Sequence, residues 1–291
     1  MLFMDSCAYA FPGVMQMTCA WKELISILPP DLKCEVDRHK NNMLLEIRLR
    51  INSPPELIFP GETRRLTGIV GRKDLDCVIN CACCYSPWCA STVAQGFLTA
   101  PGGHRIGICG QAVYKNGVME GIRDTRSLCI RIARDFSGIA SKALPAKGSI
   151  LIIGAPGWGK TTLLRDLIRS VSQTEIVAVV DERGELFPEG FSQGLRLDIL
   201  SGCEKAAGIE VLIRTMGPQW VAVDEITAEK DCKALIQAAN CGVRLLATAH
   251  AGSVDELLKR PVYRRLITEK VFETLLVLKK DKSYTVERML L

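Results

Sequence analysis

Ile152-Ile153-Gly154-Ala155-Pro156-Gly157-Trp158-Gly159-Lys160-Thr161-Thr162 decides the reading of this chain. Gly154 to Thr161 fits G-x-x-x-x-G-K-[ST], the phosphate-binding P-loop. An apolar run from Ile150 to Ile153 precedes it, and Leu163, Leu164, Leu167 and Ile168 follow at helical spacing. That strand–loop–helix context is what the motif requires. At average residue frequencies a chain of this length would match by chance only about 1% of the time.

The residue types explain the chemistry. A triphosphate carries several charges, so its site must supply donors without bulk. Gly154, Gly157 and Gly159 let backbone N–H groups curl around a phosphate at a helix N-terminus, with Ala155, Pro156, Trp158 and Thr162 completing the cradle. Lys160 brings a point charge to the β and γ oxygens, and the Thr161 hydroxyl is a hard oxygen ligand suited to Mg²⁺. The motif implies a nucleoside triphosphate with magnesium.

Trp220-Val221-Ala222-Val223-Asp224-Glu225 is an apolar strand ending in two acids, some sixty residues after the P-loop. Asp224 is expected to bind the metal, and Glu225 to act as general base on the attacking water. Ile176 to Val180 leads into Asp181-Glu182-Arg183-Gly184-Glu185, and Val243 to Ala247 leads into Thr248-Ala249-His250. In a parallel sheet the carboxyl ends of strands line the ligand crevice, so Asp181, Glu182, Thr248 and His250 are expected to face the nucleotide.

These runs alternate with helical patterns at Thr161–Ser172 and Ala228–Asn240. Buried-type strands alternating with helices mean α/β, a mainly parallel sheet covered on both faces. Val271–Leu278 and Ser283–Leu290 look like a closing hairpin about Asp281-Lys282. Before residue 141 the character differs. Trp21, Leu24, Ile25 and Leu28 share a helix face that Pro29-Pro30 ends. Leu45 to Ile51 and Ser127 to Ala133 alternate as half-buried strands, with glycine-punctuated strands over Gly96–Tyr114 and a hairpin signal at Asn116-Gly117. The chain divides into a smaller mixed α+β N-terminal domain, 1–140, and a P-loop domain, 141–291.

Composition sets the outer bounds. The 291 residues are 48% hydrophobic and 24% charged, enough for two globular cores, and the net charge of +5 permits an anionic partner without demanding one. No apolar run approaches the roughly 18 residues of a membrane-spanning helix. Asp5 interrupts the mildly apolar N-terminus and no basic segment precedes it, so no signal peptide is expected. Thirteen scattered cysteines, an odd number, suit free thiols in a reducing cytosol. Cys77, Cys81, Cys83, Cys84 and Cys89 crowd one segment that reads as a helix, Leu75 to Ala94 with a break near Pro87, rather than forming two separated metal knuckles; core packing is the expected role.

At this point the residues resemble a known family. Ile213-Arg214-Thr215-Met216-Gly217-Pro218-Gln219 leading into Trp220–Glu225 resembles the Walker B segment of the secretion and traffic ATPases. Asp181 to Glu185 resembles their acidic box, with Glu185 on its last glutamate, and Thr248 to Ala251 resembles their histidine box. Ser127-Leu128-Cys129-Ile130-Arg131 is similar to the segment entering their ATPase domain. A closer resemblance, over nearly the whole chain, is to the stage III sporulation AA family, in Glu46–Arg50, Gly96–Thr99, Gly102–Gly107, Ile130–Arg134 and Asp181–Glu185. Trp158 and Gly184 depart from the family pattern, but neither removes a catalytic group.

The resemblance implies a RecA-like ATPase domain, Glu185 as a second catalytic acid, and a homo-hexameric ring with nucleotide between the two domains. An N-terminal-domain arginine would then meet the γ-phosphate; among Arg105, Arg123, Arg126, Arg131 and Arg134, Arg131 is favoured. It also implies a mother-cell protein of endospore-forming bacteria, peripheral at the inner face of the membrane contacting the forespore. Its partners there would be membrane-embedded channel proteins. Two other readings stay open: a nucleic-acid-acting P-loop ATPase such as a helicase loader, and a nucleotide-gated scaffold with negligible turnover. The stretch Arg123 to Arg134 allows the first, but no aromatic run is interleaved with it, so a nucleic-acid partner is not expected.

Overall fold

The computed structural model describes residues 16–40, 43–84, 96–115, 117–144, 148–188 and 190–289. Asn116, Cys89 and the stretch up to Ala94 that the cysteine helix was expected to reach lie outside the described residues, as does most of the N-terminal stretch judged for a signal peptide. The chain forms two compact units, Thr18–Arg134 with the described part of Pro188–Phe191, and Asp135–Phe187 with Ser192–Leu291 and the short N-terminal stretch up to Met17.

After β1 (Gln16–Thr18), the N-terminal unit is a six-stranded antiparallel sheet backed by helices. Its strands are β2 (Glu46–Arg50), β3 (Glu56–Phe59), β4 (Glu62–Arg65), β5 (Phe97–Thr99), β6 (Arg105–Lys115) and β7 (Val118–Arg131), in the order β4-β3-β2-β7-β6-β5. Alternation fixes its faces: Ile47, Leu49, Leu57, Ile106, Leu128 and Ile130 point into a core shared with Trp21, Leu24, Leu75 and Val78 from the helices Trp21–Ile27 and Arg72–Ala82. The cysteine-bearing helix stops short of the break expected near Pro87. It ends at Ala82, and Cys84 adopts a left-handed φ of 49° in the turn that follows. Cys81 and Cys83 pack against the core. Pro29-Pro30 does not simply stop a helix, for Pro30 starts a second one, Pro30–Asp37. Proline fits the first helical position, where its missing N–H is an orphan anyway.

His104 ties this unit to its own exit. The ring is fully buried; Nδ1 accepts from the Ala133 N–H at 3.1 Å, so Nε2–H donates to the Ala20 carbonyl at 2.9 Å. Only the neutral ring satisfies both. Burial holds its pKa below the ordinary histidine value, with Arg134 adding to this and the Ala20 carbonyl and Glu23 opposing it. The unfolded chain therefore takes up the proton first. Stability is unaffected above about pH 6.5 and falls as pH drops below it, by at most about 1.4 kcal/mol per pH unit. Urea unfolding between about pH 5 and 7 should show this slope, and His104→Gln should flatten it.

The C-terminal unit opens with β8 (Asp135–Ser137) and builds a seven-stranded sheet from β9 (Ile150–Gly154), β10 (Val177–Asp181), β11 (Leu197–Ser201), β12 (Trp220–Val223), β13 (Arg244–His250), β14 (Thr274–Leu278) and β15 (Tyr284–Arg288). The order is β11-β10-β12-β13-β9-β14-β15, parallel except for β15. The expected closing hairpin is present, and its first strand joins the sheet parallel to β9. Strand residues are buried on both faces: Leu151 and Ile153 enter one core, Ile150 and Ile152 the other. Helices Lys205–Met216, Glu229–Asn240 and Pro261–Thr268 cover the first face, while Lys160–Val171 covers the second with Leu163, Leu164, Leu167 and Ile168. Each of those side chains contributes about 1.5–3 kcal/mol by burial, which anchors the helix behind the P-loop.

Candidate nucleotide site

The sheet order puts β9 beside β13, and β13 beside β12, so the P-loop, Thr248–His250 and Asp224–Glu225 emerge at neighbouring strand ends. Gly157 (φ 77°) and Gly159 (φ 101°) take left-handed backbone that side chains resist, and this lets the loop turn into the helix starting at Lys160. The residues enclose a cavity of about 380 Å³. Pro156, Gly157, Gly159, Lys160, Thr161, Thr162, Asp181, Glu182, Glu185, Asp224, Glu225, Thr248 and His250 all line it. Gly154, Ala155 and Trp158 do not; the Trp158 ring packs against the core on the P-loop helix side.

Lys160 is only 6% exposed. Its ammonium donates to the Gly154 carbonyl (2.9 Å), the Ala155 carbonyl (3.1 Å) and His250 Nδ1 (3.0 Å), which uses all three protons. Burial pushes its pKa below the usual lysine value, against the pull of Asp224 and Glu225. Because His250 Nδ1 accepts, its Nε2 carries the proton and lies 3.2 Å from Glu225 Oε1. Lys160, His250 and Glu225 thus stand in one line of polar contacts, a hydrogen bond between the first two and a 3.2 Å approach between the last two. The other Glu225 oxygen lies 3.6 Å from the Arg183 guanidinium.

Thr248 is fully buried and fixes the two acids that follow β12. Its hydroxyl donates to Asp224 Oδ1 at 2.5 Å and accepts from the Glu225 N–H at 2.7 Å. Its carbonyl takes the Ile226 N–H at 2.8 Å, and the Tyr263 hydroxyl holds the Ile226 carbonyl at 3.0 Å. Within this clamp Glu225 adopts φ 53°, a left-handed conformation that is uncommon for a side chain of its size.

Asp181 is 4% exposed, and its carboxylate accepts from the N–H groups of Glu185 (3.0 Å) and Leu186 (2.9 Å). It shapes the loop that carries Glu185 besides lining the cavity. Sequence reasoning missed three cationic liners. Lys205 and Lys282 are separated from every recognised motif, and Lys205 is paired with Glu182; Arg183 lay inside the acidic box without an assigned role. Arg131 lies on β7 in the N-terminal unit, 3.5 Å from Glu46.

The donor set bears on a metal. Thr161 Oγ1 donates to Asp224 Oδ2 at 2.7 Å, so two hard oxygens already meet beside the Lys160 ammonium. Five carboxylates (Asp181, Glu182, Glu185, Asp224, Glu225) share the cavity with Lys160, Arg183, Lys205 and Lys282. Such a site suits a polyphosphate accompanied by a divalent cation better than a bare anion. Among the described residues, no group of three His, Cys, Asp or Glu is placed to hold a metal by itself.

The sequence profile of the family described as Sporulation stage III, protein AA matches residues 22–288. Stage III sporulation protein AA of Bacillus subtilis (strain 168) is 37% identical over 281 residues, covering 90% of this chain and 92% of that protein. Among solved structures, the Legionella pneumophila ATPase DotB superposes with a TM-score of 0.58 at 17% identity, covering 90% of this chain and 80% of that one. The pilus retraction motor PilT with bound ADP gives 0.58 at 12% identity, covering 84% and 76%. These likenesses show the fold: α/β, of the RecA-like P-loop type found in secretion and traffic ATPases.

Proposed function

Since the chain belongs to the Sporulation stage III, protein AA family, we propose that it is an ATP-hydrolysing motor that energises assembly or operation of a mother-cell-to-forespore channel during endospore formation. The observation that carries the enzymatic part is the Thr161–Asp224–Thr248 hydrogen-bonded set beside the Lys160–His250–Glu225 chain. It brings a phosphate grip, a hard-oxygen pair and an oriented carboxylate into one cavity.

In this reading the P-loop backbone and Lys160 bind the phosphates, the lysine exchanging its protein acceptors for β and γ oxygens. Thr161 and Asp224 would hold Mg²⁺, which supplies charge neutralisation on those oxygens. Glu225 accepts the proton of the attacking water, with one carboxylate oxygen standing 3.2 Å from His250 Nε2. Glu185 is the second acid of the set, and Arg131, on the strength of the sequence resemblance, meets the charge that develops on the transferred phosphoryl group. Arg131→Ala should keep nucleotide binding and lower turnover by about 10²–10³-fold, the value of one positioned donor; near-normal phosphate release would remove Arg131 from the set.

The proposal extends to a division into an N-terminal domain, 1–140, and an ATPase domain, 141–291, and to a homo-hexamer peripheral to the inner face of the mother-cell membrane facing the forespore. No helix among the described residues is long and apolar enough to cross a membrane, so membrane-embedded partners would supply the channel. The direct test is phosphate release by the purified chain with Mg²⁺ and with chelator. Metal-dependent ATP hydrolysis is expected, and failure to bind ATP at all would overturn the reading. Stimulation by DNA that fades steeply with salt would favour the nucleic-acid alternative.

A further inference from the structure

The P-loop helix carries a second, polar face. Arg165, Asp166 and Arg169 lie at i, i+1 and i+4, opposite the leucines, and are 6%, 1% and 8% exposed. Buried charges are expensive and persist where hydrogen bonds saturate them. Here they are saturated. Arg169 makes two bonds to the Asp135 carboxylate (2.8 and 2.7 Å), one each to Asp166 (3.0 Å) and the Phe136 carbonyl (3.1 Å), and one to the Ser192 carbonyl (3.1 Å). Asp166 accepts from the Gly138 N–H (3.2 Å) and the Ala140 N–H (2.8 Å). Arg165 donates to the carbonyls of Glu185 (2.8 Å) and Leu186. Asp135 also takes the Ser192 N–H at 3.3 Å.

What these groups hold is not arbitrary. The chain passes between the two compact units at Arg134–Asp135, Phe187–Pro188 and Phe191–Ser192, besides a crossing at Met17–Thr18. The polar face grips three of these four crossings on the C-terminal side: Asp135 with Phe136, Gly138 and Ala140; Leu186 with Glu185; and Ser192. Its helix begins at Lys160, the residue that contacts the phosphates in the proposed function. A helix of this length is a rod of about 18 Å, so a shift of the P-loop is carried to its whole polar face. A guanidinium fork with every N–H engaged cannot follow by rotating one bond; it moves its partners.

We infer that the helix Lys160–Val171 is the element that carries nucleotide state from the P-loop to the crossings between the units, with Arg165 and Arg169 as positioning residues. This rests on the ATPase reading above. The test uses the full chain and amide hydrogen exchange over residues 131–140 and 190–196, with and without a non-hydrolysable ATP analogue. Wild type should show a nucleotide-dependent change in both segments. Arg169→Lys keeps the charge but not the fork. It should bind the analogue within about threefold of wild type, lose the exchange response, and turn over about 10²-fold more slowly, as misplacement of a remote support does. Asp135→Asn, closer in shape, gives the same readout if Arg169→Lys fails to fold. A retained exchange response in either folded variant overturns the inference, and so does a response lost only in step with binding. A wild type that binds the analogue without any change at these segments also overturns it, and leaves the ATPase reading standing. A wild type that binds no nucleotide overturns both.

Discussion

Glu225→Gln should bind ATP as tightly as wild type and hydrolyse it about 10²–10⁴-fold more slowly, the span attributed to a positioned general base. The geometry makes this substitution a clean one. Glutamine keeps the volume, and its carbonyl oxygen can still accept from His250 Nε2, which stands 3.2 Å from the present carboxylate. The backbone clamp is untouched, since Thr248 accepts from the N–H of residue 225 rather than from its side chain. What is lost is the capacity to take a proton. Titration with a fluorescent ATP analogue alongside phosphate release in Mg²⁺ separates the two steps. Turnover near the wild-type rate would remove Glu225 as the base and leave the acidic box, Glu185 above all, to supply it.

Lys160→Ala should fail one step earlier. The ammonium rests on the Gly154 and Ala155 carbonyls, acceptors that the proposed function has it exchange for phosphate oxygens. Two charge-assisted contacts of about 1.5–3 kcal/mol each are then missing, so affinity should fall by roughly 10²–10⁴-fold. Burial already works against the charged form of this lysine, so removing it relieves a desolvation cost and the fold should survive, as circular dichroism would show. The pair of variants gives a split signature, binding without chemistry for Glu225→Gln and neither for Lys160→Ala. Tight binding by Lys160→Ala would mean that the P-loop backbone and Lys205 hold the phosphates without it.

The site was legible in the sequence where the fold does the placing. The carboxyl ends of parallel strands must meet, so Asp181, Asp224, Glu225, Thr248 and His250 could be brought together from apolar runs alone, and all line the cavity. Their local duties were not legible. That Thr248 spends its hydroxyl on Asp224 and the Glu225 N–H, or that Asp181 caps the backbone of Glu185 and Leu186, depends on contacts no periodicity reports. The same holds for the fold. The buried strands β9, β10 and β12 announce themselves as continuous apolar runs. The edge strand β11 is half-exposed along most of its length and carries no such signature. The helix Lys205–Met216 carries Gly208 in its first half, whose low helical propensity weakens the signal of the segment in the sequence. In the structure the glycine is required by packing, since a Cβ there would stand 2.6 Å from the Val180 side chain. Charged side chains opposite an apolar helix stripe ordinarily face solvent, yet Arg165 and Arg169 are buried by tertiary partners twenty or more residues away.

The left-handed backbone of Glu225 has a consequence for how this protein would respond to engineering. A residue with a Cβ held at φ 53° stores about 1–3 kcal/mol of strain, and glycine or asparagine would release part of it. Any library screened for heat resistance alone will therefore be drawn toward replacing the acid on which hydrolysis is proposed to depend. Position 225 sets durability against turnover, and a thermostable variant of this chain has to find its gain elsewhere.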